Sequence, residues 1–309
     1  MNWSVLKKII LNYQYLIKLL LSLVFLCALL QLLFAKKQYL ENIEWEFMMK
    51  NWYWMPVLLV MALVNWSLEA RKWQLITSHN SFLASFRIVL TGLLFKQFIP
   101  FGIGEISGRM LADVRTAKKE AAGAFMLIGF VQFSITIIAG SFGLIWLLEH
   151  TEFQVDHQFL IVLTISFLIV LSVITFRAKL KKVYNVWFEK LTSVSRKLVF
   201  ELFFLSLGRY LIFFSQSIIV YSLFINQQSL WLLSAGISFV FLAKTIVPSL
   251  GFLGDIGVRG FSAVLFFSYF DIAPLPVVLS SLAIWVINIF LPSFVALFMV
   301  RKLSFYSKV

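Results

Sequence analysis

The chain has 309 residues, of which 61% are apolar and only 13% charged, and it holds 34 Phe and 10 Trp. Soluble domains average about 45–50% apolar and about 25% charged residues, so a mean hydropathy of +0.92 excludes an ordinary water-soluble enzyme. Disorder is excluded as well, because disordered chains are poor in these residues; what remains is a polytopic, all-α membrane protein.

Spans come first in chain order. A helix needs about 20 apolar residues to cross about 30 Å of hydrocarbon. Full spans are predicted at 15–35, 52–69, 121–148, 159–176, 198–224 and 276–300, while 82–99 and 231–247 run into Pro and Gly clusters. Lys7 and Lys8 precede the first run, and no small-residue cleavage pattern precedes Lys36 and Lys37, so that run reads as an uncleaved span.

Charge orients the spans. Lys plus Arg number 27 against 14 Asp plus Glu, a formal +13. In a soluble chain that excess would point to nucleic acid. Here the cations cluster beside apolar runs, the positive-inside pattern, and no nucleic-acid partner is expected. Arg71, Lys72 and Arg87 in 69–87, Arg109, Arg115, Lys118 and Lys119 in 109–119, the basic stretch 177–197, and Arg301 with Lys302 all read as cytoplasmic. Segment 149–157 carries three acids without Lys or Arg, and 225–230 is uncharged, so both read as external.

These assignments force 82–109 to enter and return on the inner side, and 231–270 on the outer side. The expected architecture is six full spans plus two re-entrant hairpins of opposite orientation, with both termini cytoplasmic. Eight full spans preserve the same parity but place Arg115, Lys118 and Lys119 outside. The chain divides into one membrane domain (1–309), with repeat halves at 52–176 and 198–300. In the linker 177–197, Leu180, Val183, Tyr184, Trp187, Phe188, Leu191 and Val194 follow helical spacing apart from most of the lysines. That pattern fits a basic amphipathic helix on the inner leaflet, or a connector packed on other loops.

Cys27 is the one cysteine, so no internal disulfide can form. His79, His150 and His157 lack metal-ligand spacing. Glu149, Glu152 and Asp156 beside the last two read as a solvated acidic loop, and neither metal nor cofactor is expected.

The two interrupted segments resemble each other. The first reads Lys96-Gln-Phe-Ile-Pro100, then Phe-Gly102-Ile-Gly104-Glu105-Ile-Ser-Gly108-Arg109. The second reads Lys244-Thr-Ile-Val-Pro248, then Ser-Leu-Gly251-Phe-Leu-Gly254-Asp255-Ile-Gly257-Val-Arg259. Both have Lys-x-x-x-Pro, a glycine-rich break, and an acid four residues before an arginine. Proline ends the incoming helix by removing an amide donor. Glycines 251, 254, 257 and 260 permit positive φ and close approach. Half-helices restarting near Glu105 and Gly257 would aim amide ends that favour anions. Such irregular backbone survives at membrane depth only when buried in protein or lining a wet cavity. Two such elements in corresponding halves argue for an internal duplication, and opposite orientations would make it an inverted repeat.

A charge near the bilayer centre costs about 2.5–3.5 kcal/mol on insertion scales, so these residues must be paired or hydrated. Arg209 joins them, placed near mid-membrane in span 198–224 with Glu201 two turns earlier. Five cations (Lys96, Arg109, Arg209, Lys244, Arg259) against two carboxylates (Glu105, Asp255) leave an excess of three positive charges. That excess suits an anionic ligand such as a lipid phosphate. The purely structural alternative is that Glu105–Arg109 and Asp255–Arg259 neutralise each other as i,i+4 pairs, with the lysines snorkelling and the glycines serving close helix packing.

At Pro100 through Arg109, at Pro248 through Arg259, and more weakly at Arg71-Lys72-Trp73, the chain resembles the lysylphosphatidylglycerol synthase transmembrane-region family. This is the flippase-like membrane part of the bacterial multiple peptide resistance factor, also found free-standing. The family's second motif usually ends Gly-Val-Arg-Glu; here Gly257-Val258-Arg259 is followed by Gly260, and Asp255 stands as the substitute. The resemblance implies movement of a lipid with an anionic or modified head group between leaflets. No aminoacyltransferase domain is expected, and hence no aminoacyl-lipid synthesis. On this reading Arg109 and Arg259 bind phosphate, Lys96, Lys244 and Arg209 supply field, and Glu105 and Asp255 orient the arginines or carry a coupling proton. The competing readings are a membrane transferase acting on a lipid carrier, an ion or solute carrier using the two carboxylates, and an accessory subunit of a lipid-synthesis enzyme.

Overall fold

The computed structural model describes residues 51–78, 80–99, 102–151, 195–225, 228–247 and 251–300. The predicted spans 15–35 and 159–176, nearly all of the linker 177–197, Pro100, Pro248, and the loop residues Glu152, Asp156 and His157 lie outside them. The described elements are helical throughout. In chain order they are α1 (Trp54–Thr77), α2 (Phe82–Phe98), α3 (Ile103–Ala112), α4 (Lys118–His150), α5 (Arg196–Phe224), α6 (Leu230–Ile246), α7 (Gly251–Ser268), α8 (Pro274–Trp285) and α9 (Leu291–Val300). A π-helical turn over Val286–Phe290 joins α8 to α9 without a break.

Three stretches among the described residues are long and apolar enough to cross a membrane: Lys118–His150, Arg196–Phe224 and Pro274–Met299. They coincide with the spans predicted at 121–148, 198–224 and 276–300. Large apolar side chains such as Phe200, Phe203, Phe294 and Phe298 point outward along them, as expected where the surrounding medium is hydrocarbon. The 52–69 run differs from its sequence reading. It belongs to a 24-residue helix that continues to Thr77, so residues 69–77 are helix and not loop. Lys72, read above as a cytoplasmic loop charge, is fully buried within it.

The two interrupted segments each fold as a helix, a break and a second helix packed back on the first. α2 and α6 are both 17 residues long, roughly 25 Å at about 1.5 Å per residue. α1 and α2 meet at 112°. Each break restarts on a glycine in the left-handed region, Gly102 at φ +69° and Gly251 at φ +53°, a conformation costly for side chains with a Cβ. The remaining glycines of the motif do not use that freedom: Gly104, Gly254 and Gly257 are helical. α7 also starts at Gly251, six residues before the predicted restart at Gly257.

The α2–α3 hairpin closes backbone to backbone. A Cβ on Gly108 would stand 2.8 Å from the Thr91 carbonyl and 2.9 Å from the Gly92 Cα. The α6–α7 hairpin closes around a ring, with Phe267 over Gly236. Its outer face is seated on α4, where Gly140 and Gly143 let the α6 backbone approach. The two breaks abut: a Cβ on Gly251 would lie 2.6 Å from the Gln97 carbonyl at the end of α2. One apolar core surrounds α6 and α7, and a second surrounds α1, α2 and α4. The polar side chains gather between them.

Candidate functional site: a cationic cavity between two hairpins

Helical spacing places Asn65, Glu69 and Lys72 on one face of α1. All three are buried, and a carboxylate buried there requires partners. Glu69 has three. Its Oε2 meets Lys72 Nζ at 2.8 Å and Arg209 Nη1 at 2.9 Å, and its Oε1 meets Arg109 Nη2 at 2.8 Å. Lys72 Nζ also donates to Ser206 Oγ and Gln132 Oε1, which ties α1 to α5 and α4. Arg209 Nε donates to Asn65 Oδ1.

The polar chain continues into the last span. Asn65 Nδ2 donates to Asn288 Oδ1, Asn288 Nδ2 donates to Gln216 Oε1 at 2.6 Å, and Trp66 Nε1 donates to the Asn288 carbonyl at 2.7 Å. Asn288 sits in the π turn, where the wider winding offers side chains and carbonyls that an α-helix would keep to itself.

The two motif segments build matching clasps. In the first, Glu105 is held by Lys96 Nζ at 3.0 Å and by Arg109 Nη2 at 2.6 Å. In the second, Asp255 is held by Lys244 Nζ at 2.7 Å and by Arg259 Nε at 3.0 Å. Each clasp joins a lysine from the incoming helix and an arginine from the outgoing one to a single carboxylate. The i,i+4 pairing expected of Glu105–Arg109 and Asp255–Arg259 is present, but neither pair is isolated.

Two adjoining cavities lie between the hairpins. The smaller, about 280 Å³, reaches from Asn65 and Trp66 to Arg209, Arg259 and Asn288; the larger, about 590 Å³, lies against the breaks at Gly102 and Gly251. Lys96, Lys244, Thr245 and Asp255 belong to both walls. The smaller wall carries four cations, Lys96, Arg209, Lys244 and Arg259, against the lone carboxylate of Asp255, an excess of three positive charges. The larger wall is balanced, with Lys96 and Lys244 against Glu105 and Asp255.

The residues singled out in the sequence therefore separate. Lys96, Gly102, Glu105, Arg209, Lys244, Gly251, Asp255 and Arg259 face one or both cavities. Arg109 lies behind the wall, 1% exposed, with its guanidinium 5.1 Å from the Trp73 ring centre and 5.3 Å from that of Phe125. Gly104 is buried against the α2 backbone, and Gly254 and Gly257 are buried in α7. Glu69 and Lys72 were absent from the sequence-based set. Adding one acid and one base leaves the excess at three, but the pair sits where the net charge is gathered. Their signal was the polar stripe Asn65, Glu69, Lys72 running past the end of an apolar segment. Among the described residues no three His, Cys, Asp or Glu side chains converge as a metal site would require.

A family model described as the lysylphosphatidylglycerol synthase TM region matches residues 15–309. The chain belongs to this family. No curated protein and no solved structure matches it. Family membership and the apolar helices together make the protein a multi-pass membrane protein, and the family assigns it a lipid-related function.

Proposed function

We propose that the protein is a flippase-like translocase for a lipid with an anionic head group. The observation that carries this reading is the small cavity between the hairpins, walled by four cations and one carboxylate. At about 280 Å³ it falls just below the size of pockets that hold drug-sized ligands, about 300–1,000 Å³. It suits a head group whose acyl chains stay in the bilayer.

The matched clasps support a duplication of 52–176 and 198–300; on this reading the repeat is inverted, with six full spans and two re-entrant hairpins in a bacterial plasma membrane. Rocking one hairpin against the other would open the shared wall to each leaflet in turn. A transferase finds less support. Glu69, Glu105 and Asp255 are each clasped by at least two cations, which leaves no carboxylate among the described residues of the cavity poised as a general base.

The test is leaflet exchange of a fluorescent anionic lipid in vesicles containing the purified protein, beside Arg259→Ala and Arg209→Ala. Both variants should lose at least about tenfold in rate, the scale on which a lost charge-assisted contact is felt, while eluting as monodisperse protein. Wild-type rates in both would overturn the proposal.

A further inference from the structure

We infer that the head group ends in a terminal phosphate, as a monoester or diphosphate, and carries no ammonium group. This rests on the translocase reading of the same cavity and narrows its cargo.

The first argument is donor geometry. Arg259 spends only its Nε on Asp255, and its two terminal nitrogens have no hydrogen-bond partner among the described residues. Arg209 spends Nε on Asn65 and Nη1 on Glu69, which leaves its Nη2 in the same position. Both side chains are on the wall of the small cavity. The planar fork of Arg259 matches two oxygens of one phosphate, and Arg209 supplies a further donor to the same space.

The second argument is charge. A phosphodiester brings one negative charge, whereas a phosphate monoester brings about −1.5 to −2 at pH 7. Against an excess of three positive charges, the terminal phosphate is better matched.

The third argument is what the wall lacks for a cation. Asp255 already gives Oδ1 to Lys244 and Oδ2 to Arg259. The nearest aromatic faces are taken too, Phe213 lying 5.7 Å from the Arg259 guanidinium and Trp66 lying 5.0 Å from that of Arg209. An aminoacylated head group would bring its ammonium into a cationic site with no spare carboxylate among the described lining residues.

The experiment has a binding arm and a transport arm. Native mass spectrometry of the full-length protein in detergent measures dioleoyl phosphatidic acid, phosphatidylglycerol and lysyl-phosphatidylglycerol of matched chains, with inorganic phosphate alone as a fourth probe. Phosphatidic acid should bind at least about tenfold tighter than phosphatidylglycerol, and lysyl-phosphatidylglycerol most weakly of the three lipids. Arg259→Lys, which keeps the charge and loses the fork, should bring the preference down toward parity. Lys96→Gln guards against a folding artefact: Lys96 is half exposed and Glu105 keeps Arg109, and this variant should also reduce the preference. Phosphatidylglycerol bound as tightly as phosphatidic acid, lysyl-phosphatidylglycerol bound most tightly, or free phosphate bound as well as any lipid would each overturn the inference. Exchange in phosphatidylcholine vesicles separates the two claims. Faster movement of phosphatidylglycerol than of phosphatidic acid would overturn the head-group assignment while supporting a translocase. Preferential binding of phosphatidic acid with no exchange would overturn the translocase and support the head-group chemistry.

Discussion

The two hairpins carry the same clasp and put it to different use. In the first, Arg109 is 1% exposed and its Nη2 bridges Glu105 and Glu69. In the second, Arg259 has Asp255 as its one acidic partner among the described residues and lines a cavity. The difference lies in the third element. α1 brings a carboxylate and Trp73 against the first arginine, sealing it, whereas α5 brings Phe213 and open space against the second. A local motif thus fixes which charges meet, and the helix packed across it decides whether they anchor the fold or face a ligand.

The sharpest way to break this comparison is to neutralise the acid in each half. Glu69→Gln leaves Lys72, Arg109 and Arg209 converging without a central charge. Removing one partner of a buried ion pair costs about 3–5 kcal/mol, so this variant should unfold far earlier than wild type or fail to accumulate. Asp255→Asn leaves Lys244 and Arg259 facing a cavity that water can enter, and its loss should be clearly smaller. Thermal unfolding of detergent-purified protein, followed by tryptophan fluorescence, compares the two. Equal losses would mean that the first clasp is no more of an anchor than the second.

A smaller effect separates the hairpin closures. Gly108→Ala would press a Cβ on the Thr91 carbonyl and the Gly92 Cα, which cannot move without shifting α2. Overpacking of this kind costs about 1–3 kcal/mol. Gly236→Ala meets the ring of Phe267 instead; that ring is fully buried, but relieving the contact does not require a helix backbone to move, so the cost should be less. Gly123→Ala, with nothing within 4 Å, should be neutral or gain up to about 1 kcal/mol from helix propensity. The same unfolding assay ranks all three, and a Gly236 variant worse than the Gly108 variant would reverse the reading of which hairpin is the tighter.

How far the sequence was legible follows from where each signal sat. Three spans were readable because long apolar runs have few alternatives in a membrane protein, and the clasps because proline, glycine and charge stand out against such runs. Glu69 and Lys72 were not, since an apolar run that ends in charged residues reads as a helix entering water. The helix in fact continues to Thr77, and Glu69 is held not only by Lys72 but by Arg109 and Arg209, 40 and 140 positions away in the chain. Asn288 was hidden for the same reason: an asparagine in an apolar run signals little until Asn65, Trp66 and Gln216 are brought to it. The second restart was misplaced because a glycine every third residue is equally consistent with a loop and with a closely packed helix. Only Gly251 adopts positive φ among the described glycines of that run.

One equivalence between the hairpins became visible only through the fold, and it yields the mildest prediction. Ser81 Oγ accepts the Ala84 amide at the start of α2, and Ser229 Oγ accepts the Leu232 amide at the start of α6. From Ser81 to Lys96 and from Ser229 to Lys244 the distance is 15 residues in both cases, so each hairpin places its lysine one whole helix after its capping serine. Losing such a cap costs about 0.5–2 kcal/mol. Ser81→Ala and Ser229→Ala should therefore lower thermal stability by similar, small amounts, and each should loosen the lysine at the far end of its helix only slightly. If one substitution is silent while the other costs the full amount, the two incoming helices are not equivalent. The correspondence between the halves would then be confined to the breaks and their clasps.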